Sequence, residues 1–144
     1  MKSTGKNSPR VRVGCAGWSL SAEAKPSFPP EGTHLERYAR VFGVVEINSS
    51  FYRPHQPATY RRWAEAVPEA FRFTAKVPRA ITHERKLRDA RHLLKKFVGE
   101  VGELGDKLGA LLVQLPASAV HDPAATRDFL ETFRELYAAR AKGR

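Results

Sequence analysis

The chain has 144 residues, of which 42% are hydrophobic, and its formal net charge is +10 at pH 7. These values are typical of one globular domain and exclude fibrous and low-complexity classes. No apolar run is long enough to cross a membrane, and a single cysteine, Cys15, excludes an internal disulfide, so the sequence favours a cytoplasmic protein without a membrane partner. Residues 1–10 are polar and basic, lack the apolar core of a secretory signal, and are predicted to be a disordered lead-in.

Four short apolar segments predict β-strands, and three of them are followed directly by a glycine or a proline. The predicted strands are Val11–Ala16, Val44–Ile47, Phe71–Val77 and Ala110–Leu115. Cys15 lies in the first strand, where we expect it to be buried as a small hydrophobic residue.

A helical pattern follows each predicted strand. The first repeats at helical spacing in Leu35, Tyr38, Val41 and Phe42. The second helix is predicted over about Ala58–Val67, and the third over Leu94–Leu108, where apolar residues recur at spacings of 3 and 4 and Gly109 is expected to end the helix. Asp122 is placed to cap the fourth helix, with Pro123 in its first position.

Alternating strands and helices predict a parallel sheet covered by helices, either as an open doubly wound sheet or as a β/α barrel. One face of three strands becomes polar toward the carboxyl end, with Glu46 and Asn48 in the second strand, Thr74 and Lys76 in the third, and Gln114 in the fourth. Strands of a doubly wound sheet are usually apolar on both faces, whereas inward residues near a barrel's carboxyl end line a site. We therefore predict an α/β, TIM-type β/α barrel. Because a complete one needs about 250 residues, residues 11–140 correspond to a partial barrel of about four βα units.

Functional residues in such barrels come from the carboxyl ends of the strands and from the loops after them. Glu46 and Lys76 lie on adjacent predicted strands at similar heights. They are either a structural ion pair or a general base or ligand anchor beside an anion-holding lysine. His83 is either a hydrogen-bonding loop residue or a general acid–base group near neutral pH. We take Glu46, Lys76 and His83 as the catalytic candidates.

The same rule selects seven ligand-binding candidates with aromatic, amide, hydroxyl or cationic side chains. They are Trp18, Asn48, Ser49, Tyr52, Arg79, Thr82 and Gln114. The five histidines lack the close spacing of a metal site, and no glycine-rich loop with a Lys-Ser/Thr ending follows a strand. The sequence therefore predicts no metal and indicates no particular cofactor.

Twelve of the 25 lysines and arginines lie within residues 53–96. A basic block of this kind attracts polyanions and occurs in nucleic-acid-binding proteins, but it is equally compatible with a solvated surface.

Five motifs occur in order along the chain. They are Gly14-Cys15-Ala16-Gly17-Trp18, Glu46-Ile47-Asn48-Ser49-Ser50-Phe51-Tyr52, Lys76-Val77-Pro78-Arg79-Ala80-Ile81-Thr82-His83, Leu108-Gly109 and Gln114-Leu115-Pro116. From about Val11 to Tyr137, the chain closely resembles the domain of unknown function 72 family, also called YecE-like. The resemblance implies a TIM-type barrel and no secure activity. The chain departs from the family in its Phe28-Pro29-Pro30 run, where Phe-Tyr-Pro is common, and it lacks the usual second tryptophan in this loop and the second-half motifs.

We therefore expect an uncharacterised YecE-like protein that binds a small anionic or phosphorylated ligand at the carboxyl ends of the strands. The sequence does not specify whether it is an enzyme. The alternatives are a nucleic-acid-binding protein that uses residues 53–96 and a non-catalytic, truncated remnant of a barrel. The unpaired edges of a partial barrel also lead us to expect self-association.

Overall fold

A three-stranded parallel sheet forms the centre of the molecule. The computed structural model describes residues 11–142, so the predicted lead-in at residues 1–10 lies outside the described residues. The strands are β1 (Val44–Ile47), β2 (Arg72–Lys76) and β3 (Leu108–Leu112), in the order β1-β2-β3. The α/β class and the parallel sheet are thus confirmed, with three strands in the described residues rather than four.

A helix follows each strand, and another precedes β1. The α-helices are α1 (His34–Ala39), α2 (Pro57–Glu65), α3 (Arg91–Val101) and α4 (Pro123–Lys142). Short 3₁₀ segments cover Lys25–Ser27, Ser49–Phe51 and Gly102–Lys107, and a π-helix covers Ala80–Glu84. Asp122 caps α4 as predicted, because its Oδ1 accepts hydrogen bonds from the backbone N–H groups of Ala124 and Ala125.

The prediction of a first strand at Val11–Ala16 is wrong. Only an isolated parallel bridge joins Ala16 to Glu46, where the Glu46 N–H donates to Cys15 O and Glu46 O accepts from the Gly17 N–H. The segment fails to extend into a strand because its apolar side chains have no surface to cover; Val11 is 86% exposed. Cys15 is also exposed, so the expectation that it would be buried is wrong.

The third predicted helix is shorter than expected. It ends at Val101, and a 3₁₀ segment with a positive φ of 68° at Gly105 leads directly into β3. Val101 and Leu104 stay buried across this change because the 3₁₀ helix places residues three apart on one face. Gly109 therefore lies inside β3 instead of ending a helix.

The two faces of the sheet have different environments. On one face, Val45, Ile47, Phe73 and Ala75 are buried in the main hydrophobic cluster, with helix residues around them. On the other face, the side chains of β1 and β2 are only half-buried, and most of β3 is exposed. These half-buried residues are Val44, Glu46, Arg72, Thr74 and Lys76. This second face is named the open face. Self-association through the edge of β3 stays a prediction.

None of the helices in the described part of the chain is both long and apolar enough to span a membrane.

Candidate functional site

The segment Gly14–Trp18 is held on β1 by tight packing. A Cβ at Gly14 would collide with the Val44 carbonyl oxygen, so only glycine fits this approach. The buried Tyr38 hydroxyl accepts from Cys15 N–H at 2.8 Å and donates to Val44 O at 3.0 Å. Gly17 has a positive φ of 83°, a conformation that glycine adopts without strain. The first motif is therefore explained by the way its backbone docks on the sheet.

Ser50 connects the carboxyl ends of β1 and β2. Its buried Oγ lies 2.9 Å from Ile47 O and 2.6 Å from Lys76 O, and its single hydroxyl proton is donated to one of these carbonyls at a time. This link fixes the 3₁₀ turn after β1 against the end of β2. It thereby places the next residue, Phe51, beside residues that follow β2.

Phe51 is the centre of a cluster at the carboxyl edge of the sheet. The Lys76 Nζ lies 4.6 Å from the centroid of its ring, within the range of a cation–π contact. The rings of Tyr52 and His83 each meet the Phe51 ring edge-on, with centroids 5.0 Å away. Thr82, which is fully buried, is hydrogen-bonded through Oγ1 to His83 Nδ1 at 2.9 Å. These five residues are named the Phe51 cluster.

The predicted pairing of Glu46 with Lys76 does not occur. The strand register places Glu46 beside Thr74, so Lys76 lies two residues further on, about 6–7 Å nearer the carboxyl edge. Among the described residues, no ion pair includes Glu46, and the lysine ammonium lies over Phe51 instead. The structural ion pair considered from the sequence is therefore wrong.

A second polar contact follows the 3₁₀ turn after β1. The Ser49 Oγ lies 2.8 Å from His55 Nε2, and the His55 ring packs edge-on against Tyr60 and Trp63. Burial, followed by the positive charge of Arg53, lowers the pKa of His55 below its ordinary value. His55 is therefore more often neutral than a solvated histidine at a given pH.

The other predicted site residues lie outside the Phe51 cluster. Trp18 packs edge-on against Trp63, with ring centroids 4.9 Å apart, and against the core. Arg79 pairs with Glu84 at 3.4 Å. Asn48 is half-buried just beyond β1, and Gln114 is exposed beyond β3. The structure thus brings Tyr52, Lys76, Thr82 and His83 together and leaves Trp18 and Gln114 apart from them.

Three residues of this region are missing from the predicted site: Ser50, Phe51 and His55. Ser50 and Phe51 lie inside the motif that supplied Ser49 and Tyr52, so their position was a usable signal. No spacing in the sequence indicates that the His55 ring is hydrogen-bonded to Ser49. Within residues 11–142, no group of three or more histidine, cysteine, aspartate or glutamate side chains is arranged to hold a metal ion.

The family to which the chain belongs is decided by a match over nearly its whole length. The model for the protein of unknown function DUF72 matches residues 12–141. The chain belongs to the DUF72 family. UPF0759 protein YecE of Escherichia coli K12 is 37% identical over 86 residues, which cover 60% of this chain and 32% of YecE. UPF0759 protein YunF of Bacillus subtilis is 28% identical over 76 residues, covering 52% of this chain and 27% of YunF.

Solved DUF72 structures share the fold of this chain. The Enterococcus faecalis V583 protein EF0366 has a TM-score of 0.70 at 24% identity, over 87% of this chain and 46% of that one. The Thermotoga maritima protein TM1631 has a TM-score of 0.64 at 24% identity, over 87% of this chain and 51% of that one. The matched part of this DUF72 chain thus spans about half the length of the solved relatives and about a third of the curated ones.

Proposed function

We propose that this DUF72 protein binds a small anionic or phosphorylated ligand at the carboxyl edge of its sheet, in the Phe51 cluster. The observation that carries the proposal is the meeting of Tyr52, Lys76 and His83 around one aromatic ring. These residues come from the loop after β1, the end of β2 and the π-helix, so the fold assembles the cluster from separate segments. Ligands of parallel α/β sheets bind at this edge.

The chemistry of the cluster suits an anion. Lys76 supplies a charge and three N–H donors, Tyr52 supplies a hydroxyl, and His83 supplies a ring nitrogen. Thr82 is too buried to touch a ligand and acts as a positioning residue that orients His83 through the 2.9 Å hydrogen bond. In this proposal Asn48 and Ser49, beside the end of β1, extend the polar surface from which a phosphate is held.

We further propose that the sheet is part of a TIM-type barrel whose interior is the open face. Two observations support this: the strands are parallel in sequence order, and each strand is followed by a helix. In a barrel, Glu46 and Lys76 would face inward at different depths, with Lys76 nearer the carboxyl end. Glu46 would then lie deeper in the barrel interior than the lysine that holds the anion.

Thermal unfolding in the presence of inorganic phosphate tests the binding proposal. A ligand that binds only the folded state raises the melting temperature. We expect phosphate to raise it relative to chloride at equal ionic strength, and Lys76→Met to remove this increase. The Lys95→Met variant, which changes an exposed lysine of α3, is the matched control. An equal response in both variants would contradict the proposal.

Nucleic-acid binding through residues 53–96 is a weaker candidate. The cations of this block are spread over α2, β2, α3 and the residues just before and after the π-helix. Several of them already form ion pairs with carboxylates: Arg61 with Glu103, Arg79 with Glu84, Arg88 with Asp122, Arg91 with Glu135, and Lys96 with Glu100. Binding of a single-stranded oligonucleotide that weakens steeply with salt, and that survives Lys76→Met, would favour this candidate over the first.

A further inference from the structure

A separate pocket of about 200 Å³ lies beside the Phe51 cluster. Its walls come from three segments: the loop after β1, the turn that starts the π-helix, and one side of α3. The apolar lining is formed by Phe51, Pro54, Pro78, Ile81, Leu93 and Phe97. Two residues of the Phe51 cluster, Phe51 and Tyr52, line the pocket, but Lys76, Thr82 and His83 do not. The pocket is named the outer pocket.

The charges at the outer pocket favour an anion. Three cations, Arg53, Arg79 and Lys96, line it together with two acids, Glu84 and Glu100. Arg79 and Lys96 hold their acid partners at 3.4 and 3.9 Å. Among residues 11–142, Arg53 has no ion-pair or side-chain hydrogen-bond partner, so its exposed guanidinium leaves one uncompensated positive charge.

Glu100 is paired with Lys96 and forms no ion pair with Arg53 among the described residues. Its side chain is 14% exposed, and burial raises its pKa above the ordinary value despite the opposing effect of Lys96.

The wall of the outer pocket that follows β2 has an unusual backbone. A π-helix at Ala80–Glu84 leads into a turn in which Lys86, Leu87 and Asp89 have positive φ values of 49°, 71° and 47°. Such conformations cost non-glycine residues roughly 1–2 kcal/mol each. The turn is anchored by the buried Leu87, whose N–H donates to Ile81 O at 2.9 Å. π-helices are frequent at functional sites, and the π-helix supplies Ala80, Ile81 and Glu84 to the pocket.

We propose that the outer pocket binds a small carboxylic acid with an apolar, ring-sized body, whose carboxylate pairs with Arg53. The apolar walls take the ring, and the unpaired guanidinium takes the charge. The volume is below the roughly 300–1,000 Å³ of pockets for drug-sized ligands, so the ligand is correspondingly small. The charged partner here is Arg53, whereas the adjacent phosphate site proposed above relies on Lys76 and His83.

Titration with benzoate, followed by amide NMR shifts, tests the proposal. We expect the amides of Leu93 and Phe97 and those of the loop after β1 to shift together. The Arg53→Ala substitution should weaken binding about three- to tenfold, the range expected for one charged hydrogen bond at a partly exposed site. Arg62→Ala removes an exposed arginine of α2 outside the pocket and should leave benzoate binding unchanged.

Two further measurements separate the elements of the proposal. Leu93→Trp places a larger ring in the pocket and should abolish benzoate binding, with circular dichroism showing that the variant is folded. Benzyl alcohol, which lacks the charge, should bind at least threefold more weakly than benzoate. Equal affinity for the two compounds, or equal effects of Arg53→Ala and Arg62→Ala, would overturn the proposal. The phosphate test compares melting temperatures of Lys76→Met and Lys95→Met, whereas the benzoate test compares amide shifts of Arg53→Ala and Arg62→Ala, so failure of the phosphate proposal and failure of this one are distinguishable.

Discussion

The two faces of the sheet differ in what their side chains do. On the covered face, Phe73 and Ile47 are completely buried and pack against helices. On the open face, Glu46, Thr74 and Lys76 are half-buried, and the lysine ends over an aromatic ring at the carboxyl edge. The covered face therefore supplies most of the stability of the fold, while the carboxyl edge of the open face is where we propose that a ligand binds.

The largest effect is expected on the covered face. Phe73→Ala removes a completely buried ring and should lower the free energy of unfolding by about 3–5 kcal/mol. The adjacent Thr74→Ala on the open face should change it by less than about 1 kcal/mol. Urea unfolding of both variants measures the difference. Similar losses in the two variants would show that the faces are not distinct.

A smaller effect is expected where the two strands are tied together at the carboxyl edge. Ser50→Ala leaves the carbonyl groups of Ile47 and Lys76 without their hydroxyl donor and should cost about 1–3 kcal/mol of stability. Ser49→Ala is the matched control, because Ser49 is exposed and its hydroxyl is hydrogen-bonded to the His55 ring rather than to the strand carbonyls. Its cost, measured by the same unfolding experiment, should be below that of Ser50→Ala. The reverse order would rule out Ser50 as the structural link.

The smallest effect is a pH dependence of stability from His55. Its pKa is lowered in the folded protein, so the unfolded chain binds more protons as the pH falls below the ordinary value of about 6.5. Stability from this residue is therefore full above that value and decreases as the pH falls toward the folded-state pKa. Melting temperatures between pH 5 and 8 should fall less steeply on the acid side for His55→Asn than for the wild type. An unchanged slope would contradict this assignment.

The sequence predicts the elements of this fold better than their alignment with each other. The strand Val44–Ile47 and the cap at Asp122 follow from local patterns and are confirmed. Whether Glu46 meets Lys76 depends on the register of the two strands, which neither strand's own sequence pattern specifies. The segment Val11–Ala16 also has the local pattern of a strand, but its apolar side chains have no surface on which to pack.

The same reason limits what could be predicted of the candidate site. Residues at the carboxyl ends of strands are identifiable from sequence, and four of them meet in the Phe51 cluster. The role of the Phe51 ring is not visible in the sequence, because it depends on the Ser50 hydrogen bond that holds the turn after β1 against β2. Packing between segments, rather than residue type, decides which candidates are neighbours.

The central claim is that the Phe51 cluster forms one anion site at the carboxyl edge of the sheet. Its most direct test is titration with inorganic phosphate, observed by the NMR resonances of the His83 ring and the Lys76 side chain. The account predicts that both shift with one common dissociation constant, and that Lys76→Met abolishes the His83 response. Shifts spread over the exposed cations of the chain, with His83 responding equally in the wild type and the variant, would contradict it.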